Sequence, residues 1–209
     1  MIKAYPNVTL PGVILAGGRA TRMGGGDKGL RMVGGQRLID RVIARLGAQC
    51  APLAINANGN PDRLAEFNLP ILPDSLPDHP GPLAGVLAGL DWAASLGAPA
   101  ILTAAADTPF FPPDLAARLV ANAGPSGLCL AASADPMGKL HRQPTFGLWP
   151  TALRHDLRSA LANGLRKIVL WADSHHAGTA EFSSHPFDPF FNINTPEDIV
   201  EAEKLLGQS

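Results

Sequence analysis

The chain has 209 residues, 46% of them hydrophobic and 17% charged, with a formal net charge of -1 at pH 7. That balance excludes a disordered polyelectrolyte, and it excludes the broad basic field that non-specific nucleic-acid binding requires. Cys50 and Cys129 stand far apart outside any C-x-x-C pair, so neither a disulfide framework nor a zinc site is indicated, and a reducing, cytoplasmic location is expected. No apolar run approaches the roughly 20 residues of a membrane helix or the core of a signal peptide. Val13-Ile14-Leu15-Ala16 is a short continuous apolar run closed by glycine, as in strands buried on both faces of a parallel sheet. From Gln36 to Ala48, Leu38, Ile39, Val42, Ile43 and Leu46 recur at helical spacing. A strand at Pro52–Ile55, a short helix opened by Asn60-Pro61 and a strand at Ile71-Leu72 continue the rhythm.

Leu83–Leu96 reads as a helix of small residues, Ala100–Ala104 as a strand, and Pro112–Ala121 as a helix begun by prolines. After Asp107 the alternation loosens. Strands at Leu128–Ala132 and Thr145–Trp149 predict an antiparallel pair beside the main sheet, with helices at Thr151–Ala162 and Lys167–Trp171. Thr195-Pro196-Glu197-Asp198 joins a capping hydroxyl, a proline at the first position and an acid three residues on, which predicts a final helix. The pattern predicts one α/β domain over residues 1–209 with a mostly parallel sheet.

The richest segment for chemistry is Leu15-Ala16-Gly17-Gly18-Arg19-Ala20-Thr21-Arg22-Met23-Gly24-Gly25-Gly26-Asp27-Lys28-Gly29. Glycines let backbone N–H groups approach a ligand, and Arg19, Arg22 and Lys28 can neutralise phosphate, so a polyphosphate is the expected ligand. A plain surface loop is the alternative. Gly24-x-Gly26-x-x-Gly29 matches the dinucleotide fingerprint only formally, because it starts eight residues past the strand. Lys28 lacks the following Ser or Thr of a Walker A loop.

Asp107 closes an apolar strand at the edge where open α/β sheets bind ligands, and one such carboxylate beside a nucleotide suffices for Mg²⁺. Its alternative is helix capping ahead of Pro109. Asp74 and Asn56 follow two other strands and, taken alone, read as turn residues. Gly81-Pro82-Leu83-Ala84-Gly85 lets a base or sugar lie against backbone. Asn192 and Asn194 share one face if they form a strand, just before a capped helix; capping by Asn194 or Thr195 is the alternative. The six histidines show no metal spacing and read as surface residues. Without a nucleophile elbow or a Ser/His/Asp set, cations, backbone amides and one metal-binding acid suit nucleotidyl transfer to an acceptor already ionised.

Leu15-Ala16-Gly17-Gly18, Arg22-Met23-Gly24-Gly25-x-Asp27-Lys28-Gly29, Gly81-Pro82-Leu83-Ala84-Gly85, Asp107-Thr108-Pro109, Gln143-Pro144 and Asn192-x-Asn194-Thr195-Pro196-Glu197-Asp198 resemble, in order, the motifs of molybdenum cofactor guanylyltransferases, the MobA family. The resemblance implies a Rossmann-like three-layer nucleotidyltransferase fold using GTP and Mg²⁺. It implies transfer of GMP to the terminal phosphate of molybdopterin, with cofactor-insertion proteins and molybdoenzyme chaperones as later partners. On this basis Leu15, Ala16, Gly17, Gly18, Arg19, Lys28, Asn56, Asp74, Gly81, Pro82 and Asp107 are expected at GTP in the N-terminal half. Lys28, Asp107 and Arg22 are expected at the chemistry, with Asp107 on the metal, and Asn192 and Asn194 on the pterin side. A lead of about a dozen residues before the first strand departs from the pattern. A cytidylyl- or uridylyltransferase of the same fold is a rival reading, against which Gly17 and Pro82 speak. A non-catalytic nucleotide-binding module is another, against which Lys28 with Asp107 speaks.

Overall fold

The computed structural model describes residues 5, 9–17, 27–76 and 81–207; Gly18, Arg19 and Arg22 of the glycine-rich loop lie outside them. Nine strands are described: β1 (Gly12–Leu15), β2 (Met32–Val33), β3 (Gln36–Arg37), β4 (Leu53–Asn56), β5 (Ile71–Leu72), β6 (Ala100–Ala105), β7 (Cys129–Ala134), β8 (Leu140–Pro150) and β9 (Gly178–Phe182). The α-helices among these residues are α1 (Leu38–Gly47), α2 (Pro82–Ser95), α3 (Leu115–Ala121), α4 (Arg154–Ala162), α5 (Ile168–Ser174) and α6 (Pro196–Leu206).

Seven strands form one sheet in the order β5-β4-β1-β6-β8-β7-β9. Strand β8 alone runs against the rest, pairing antiparallel with both β6 and β7, while the other neighbours pair in parallel. Both faces are covered, which explains the unbroken apolar runs of β1 and β6. Ile14, Ile55 and Leu102 pack with Ile39, Val42 and Leu46 of α1 and Leu115 and Leu119 of α3 on one face. Val13, Leu15 and Ile101 pack with Val86, Leu87 and Leu90 of α2, Leu157 of α4 and Trp171 of α5 on the other. This is the expected three-layer arrangement. Inside it, buried Thr103 accepts a hydrogen bond from Trp149 Nε1 at 2.8 Å, so the β6–β8 pair leaves neither polar group unpaired.

Gln36 and Arg37 are not the start of a helix. They form β3, paired with β2 across Gly34-Gly35, whose φ values of 55° and 76° supply the left-handed pair that a two-residue hairpin turn demands. The third α-helix starts at Leu115 and not at Pro112. Strand β9 went unpredicted. It is an edge strand with only Ala180 and Phe182 buried, so its apolar signal is slight. Residues 190–195 form no strand, contrary to expectation. His175 is half-buried, its ring 4.5 Å from Trp171 and its Nε2 2.7 Å from Asp156 Oδ1, so it is a packing residue. No helix among the described residues is long and apolar enough to cross a membrane.

Candidate functional site

Strands β4, β1 and β6 end side by side, and Leu15, Asn56 and Ala105 mark that edge. Chain order runs from β1 outward to β4 and β5, then returns across β1 to β6, which makes the β1/β6 junction the switch point where ligands of such sheets bind. A cleft of about 640 Å³ opens there. Its described lining includes Leu15, Gly17, Asn56, Asp74, Gly81, Pro82, Asp107 and Asn192, drawn from both halves of the chain. Ala16 stands behind the wall, its N–H donating to the Asn56 carbonyl at 2.9 Å.

Asn56 is 3% exposed and is not a turn residue. Its Nδ2 donates to the Leu72 carbonyl at 3.0 Å and to Asp74 Oδ1 at 2.9 Å. Asn58, which the sequence reading missed, donates from Nδ2 to Asp74 Oδ2 at 2.7 Å and accepts from the Asp74 N–H at 2.9 Å. Two amides thus hold one carboxylate on the cleft wall. Helix α2 comes close because position 85 is glycine: a Cβ there would lie 2.1 Å from Asn56 Oδ1.

On the opposite wall Asp107 follows β6. It caps no helix; Thr108 Oγ1 donates to its Oδ1 at 3.3 Å and Lys28 Nζ lies 3.6 Å from its Oδ2. Burial pushes the Asp107 carboxyl above its ordinary range, against the opposing pull of the Lys28 ammonium. Lys28 Nζ also donates to Asn194 Oδ1 at 2.5 Å. Asp27, one residue back, is paired with Arg63 from the short 3-10 helix Pro61–Phe67, which anchors the chain where the glycine-rich loop rejoins the fold.

Thr145 also lines the cleft. Its position comes from an irregularity in the β7–β8 ladder: Leu130 faces Gly147 while Ala131 faces Gln143, so Pro144, Thr145 and Phe146 have no partners opposite. Pro144 has no N–H to give the ladder, which favours such a bulge. Phe146 then turns into the core.

Asp107 lines one wall of the cleft and the fixed Asp74 carboxylate the other, while Lys28, with Asn194, stands just behind Asp107 outside the described lining. Among the described residues no cluster of three or more His, Cys, Asp or Glu could cage a metal alone. Asp107 as a lone hard-oxygen donor fits Mg²⁺, which takes one or two carboxylates with substrate phosphates and waters.

The sequence model described as the MobA-like NTP transferase domain matches residues 12–177. A protein of Bradyrhizobium sp. (strain ORS 278) named molybdenum cofactor guanylyltransferase is 49% identical, over 95% of this chain and 93% of that protein. One of the same name from Rhodopseudomonas palustris (strain BisB5) is 50% identical over 93% of each. The crystal structure of molybdopterin-guanine dinucleotide biosynthesis protein A from Archaeoglobus fulgidus shares the fold, with a TM-score of 0.69 and 22% identity over 96% of this chain and 100% of that one.

Proposed function

The chain belongs to the MobA-like NTP transferase family, and from that premise we propose that it transfers GMP from GTP to the terminal phosphate of molybdopterin, releasing pyrophosphate. The observation that carries this reading is the Lys28–Asp107 pair, 3.6 Å apart, beside a cleft at the carboxyl edge of the parallel strands. An acceptor phosphate oxygen forms a bond to the α-phosphorus of GTP. The bond from that phosphorus to the bridging oxygen breaks, and pyrophosphate leaves with the electron pair. The acceptor oxygen is already ionised near neutral pH, so no side chain need take a proton. What the protein supplies is position and charge.

Lys28 neutralises the phosphates as charge moves onto the leaving group. Asp107 would hold Mg²⁺, which would supply Lewis-acid neutralisation of the triphosphate. Asn56 and Asp74 bind the nucleoside side, with Leu15, Gly17, Gly81 and Pro82 giving surface to the cleft and Ala16 supporting that wall through its bond to the Asn56 carbonyl. Gly18, Arg19 and Arg22 complete the phosphate loop in this proposal. Asn192 and Asn194 belong to the acceptor side. Residues 1–209 act as one nucleotidyltransferase domain in the cytoplasm, where free, buried Cys50 and Cys129 suit a reducing medium, and cofactor-insertion proteins and molybdoenzyme chaperones take the product.

The test presents each ribonucleoside triphosphate with Mg²⁺, first in thermal melts and then with molybdopterin while pyrophosphate is measured. GTP is expected to raise Tm most, since a ligand at a hundredfold over its Kd adds about 2.7 kcal/mol. It alone should yield pyrophosphate at a substantial rate. An equal shift and equal release with CTP would remove the guanine assignment, a larger response to CTP would make the chain a cytidylyltransferase, and binding without release would make it a non-catalytic module. A second expected outcome concerns the wall. Gly85→Ala should push Asn56 away from Asp74 and raise KM for GTP by about tenfold while kcat changes little, because a uniform binding contact is lost. An unchanged KM would remove Asn56 from the nucleotide site.

A further inference from the structure

The acceptor-side segment is tied directly to the nucleotide-side machinery. Ile193 N–H donates to the Asp107 carbonyl at 3.0 Å. Asp198 Oδ2 accepts from the N–H groups of Asn194 at 2.7 Å and Thr195 at 2.9 Å, within the capping box that starts α6. With its backbone clamped from both sides, Asn194 presents its side chain to Lys28. Its Oδ1 accepts from the ammonium, whereas Nδ2 donates to no partner among the described residues.

The choice of group matters chemically. Lysine carries a compact charge on a flexible four-carbon stem, which by itself samples many positions. Asp107 attracts that charge but at 3.6 Å is beyond a hydrogen bond. The Asn194 amide oxygen is neutral: it directs the ammonium without cancelling the charge a phosphate would meet. A carboxylate at 194 would direct it equally well and compete with the phosphate. A group serving only the acceptor would have no reason to spend its oxygen on Lys28.

We propose that Asn194 is a positioning residue, whose amide oxygen aims the Lys28 ammonium at the triphosphate while the amide nitrogen stays available to the acceptor. This rests on Lys28 acting as the phosphate-neutralising group of the proposed transfer. The N-terminal end of α6 thereby sets the charge geometry of a site formed mainly by the other half of the chain.

The test is a double-mutant cycle read without acceptor: Kd for GTP with Mg²⁺ by calorimetry in wild type, Lys28→Ala, Asn194→Ala and the double variant, with Tm of each as the folding control. Asn194→Ala should weaken GTP about tenfold, and the double variant should be no weaker than Lys28→Ala alone, because the asparagine acts through the lysine. Asn194→Asp, which keeps the oxygen and adds charge, should weaken GTP more than Asn194→Ala does. Two results overturn the proposal. One is wild-type GTP binding in Asn194→Ala with only the acceptor KM raised; the other is a double variant whose loss is the product of the single losses. Failure of the parent reading looks different: wild type then makes no guanine dinucleotide product from GTP and molybdopterin. The binding cycle, run with whichever triphosphate stabilises the protein most, still decides the role of Asn194.

Discussion

Asp107→Asn is expected to abolish GMP transfer and to leave the fold as stable as wild type or more so. The amide matches the carboxylate in shape, so the packing beyond β6 is kept. What goes is the charge: the attraction to Lys28 across 3.6 Å and the donor for a divalent cation. Several kcal/mol of charge stabilisation are at stake, and about 4 kcal/mol corresponds to roughly a thousandfold in rate. The stability half follows from linkage. Burial raises the Asp107 pKa above its ordinary 3.8, so the folded state holds this proton to a higher pH than the unfolded state does. Folding takes up a proton between those two values, and stability falls as pH rises through that window. At neutral pH the ionised carboxylate is a cost that asparagine does not carry. Melts at pH 7 should therefore give a Tm no lower than wild type, and a pyrophosphate assay should give almost no turnover. Near-normal turnover would show that Asp107 has no part in the chemistry; a large fall in Tm would show that its charge holds the fold together.

That trade between stability and function separates what could be read along the chain from what could not. Asp107 was legible because it follows a short apolar run, and the ends of parallel strands lie at one edge, whereas Asn56 and Asp74 taken alone read as turn residues and only the family resemblance set them at the nucleotide. The final helix was legible because Thr195 and Asp198 make their capping contacts with each other, three residues apart. Thr145 was not, since its position depends on a break in the β7–β8 ladder, a property of two strands together. Asn58 carried only a weak signal, its alternation with Asn56, until Asp74 was seen between their amides. The expectation that Asn192 and Asn194 sit on a strand failed for a physical reason. The N–H groups of Ile193 and Asn194 are taken by the Asp107 carbonyl and the Asp198 carboxylate, so no ladder partner is needed. The link from Lys28 to Asn194 spans 166 residues of sequence, and no local pattern announces it.

Lys28→Ala carries the second large effect. A minor consequence is structural: Asp107 loses its cationic neighbour and becomes easier to protonate, while Asn194 loses its bond. The side chain is partly exposed at 22%, and the 3-10 turn from Lys28 to Leu30 is held by backbone contacts, so the fold should survive. The main consequence lies at the phosphates. Before reaction the triphosphate is held by many groups, so losing one ammonium weakens GTP binding only moderately. As the bond to pyrophosphate breaks, negative charge grows on the leaving group, and the ammonium matters more there than in the ground state. Loss of one such preoriented donor commonly costs about 3–4 kcal/mol, or 10² to 10³ in kcat. Steady-state assays should therefore show kcat falling by that factor, with KM for GTP rising by much less. Lys28→Arg should recover little, because a planar guanidinium does not reproduce the compact ammonium held beside Asn194 and Asp107. If KM alone rises and kcat holds, Lys28 is a binding contact made equally in ground and transition states, and the charge that drives pyrophosphate out comes from elsewhere in the loop.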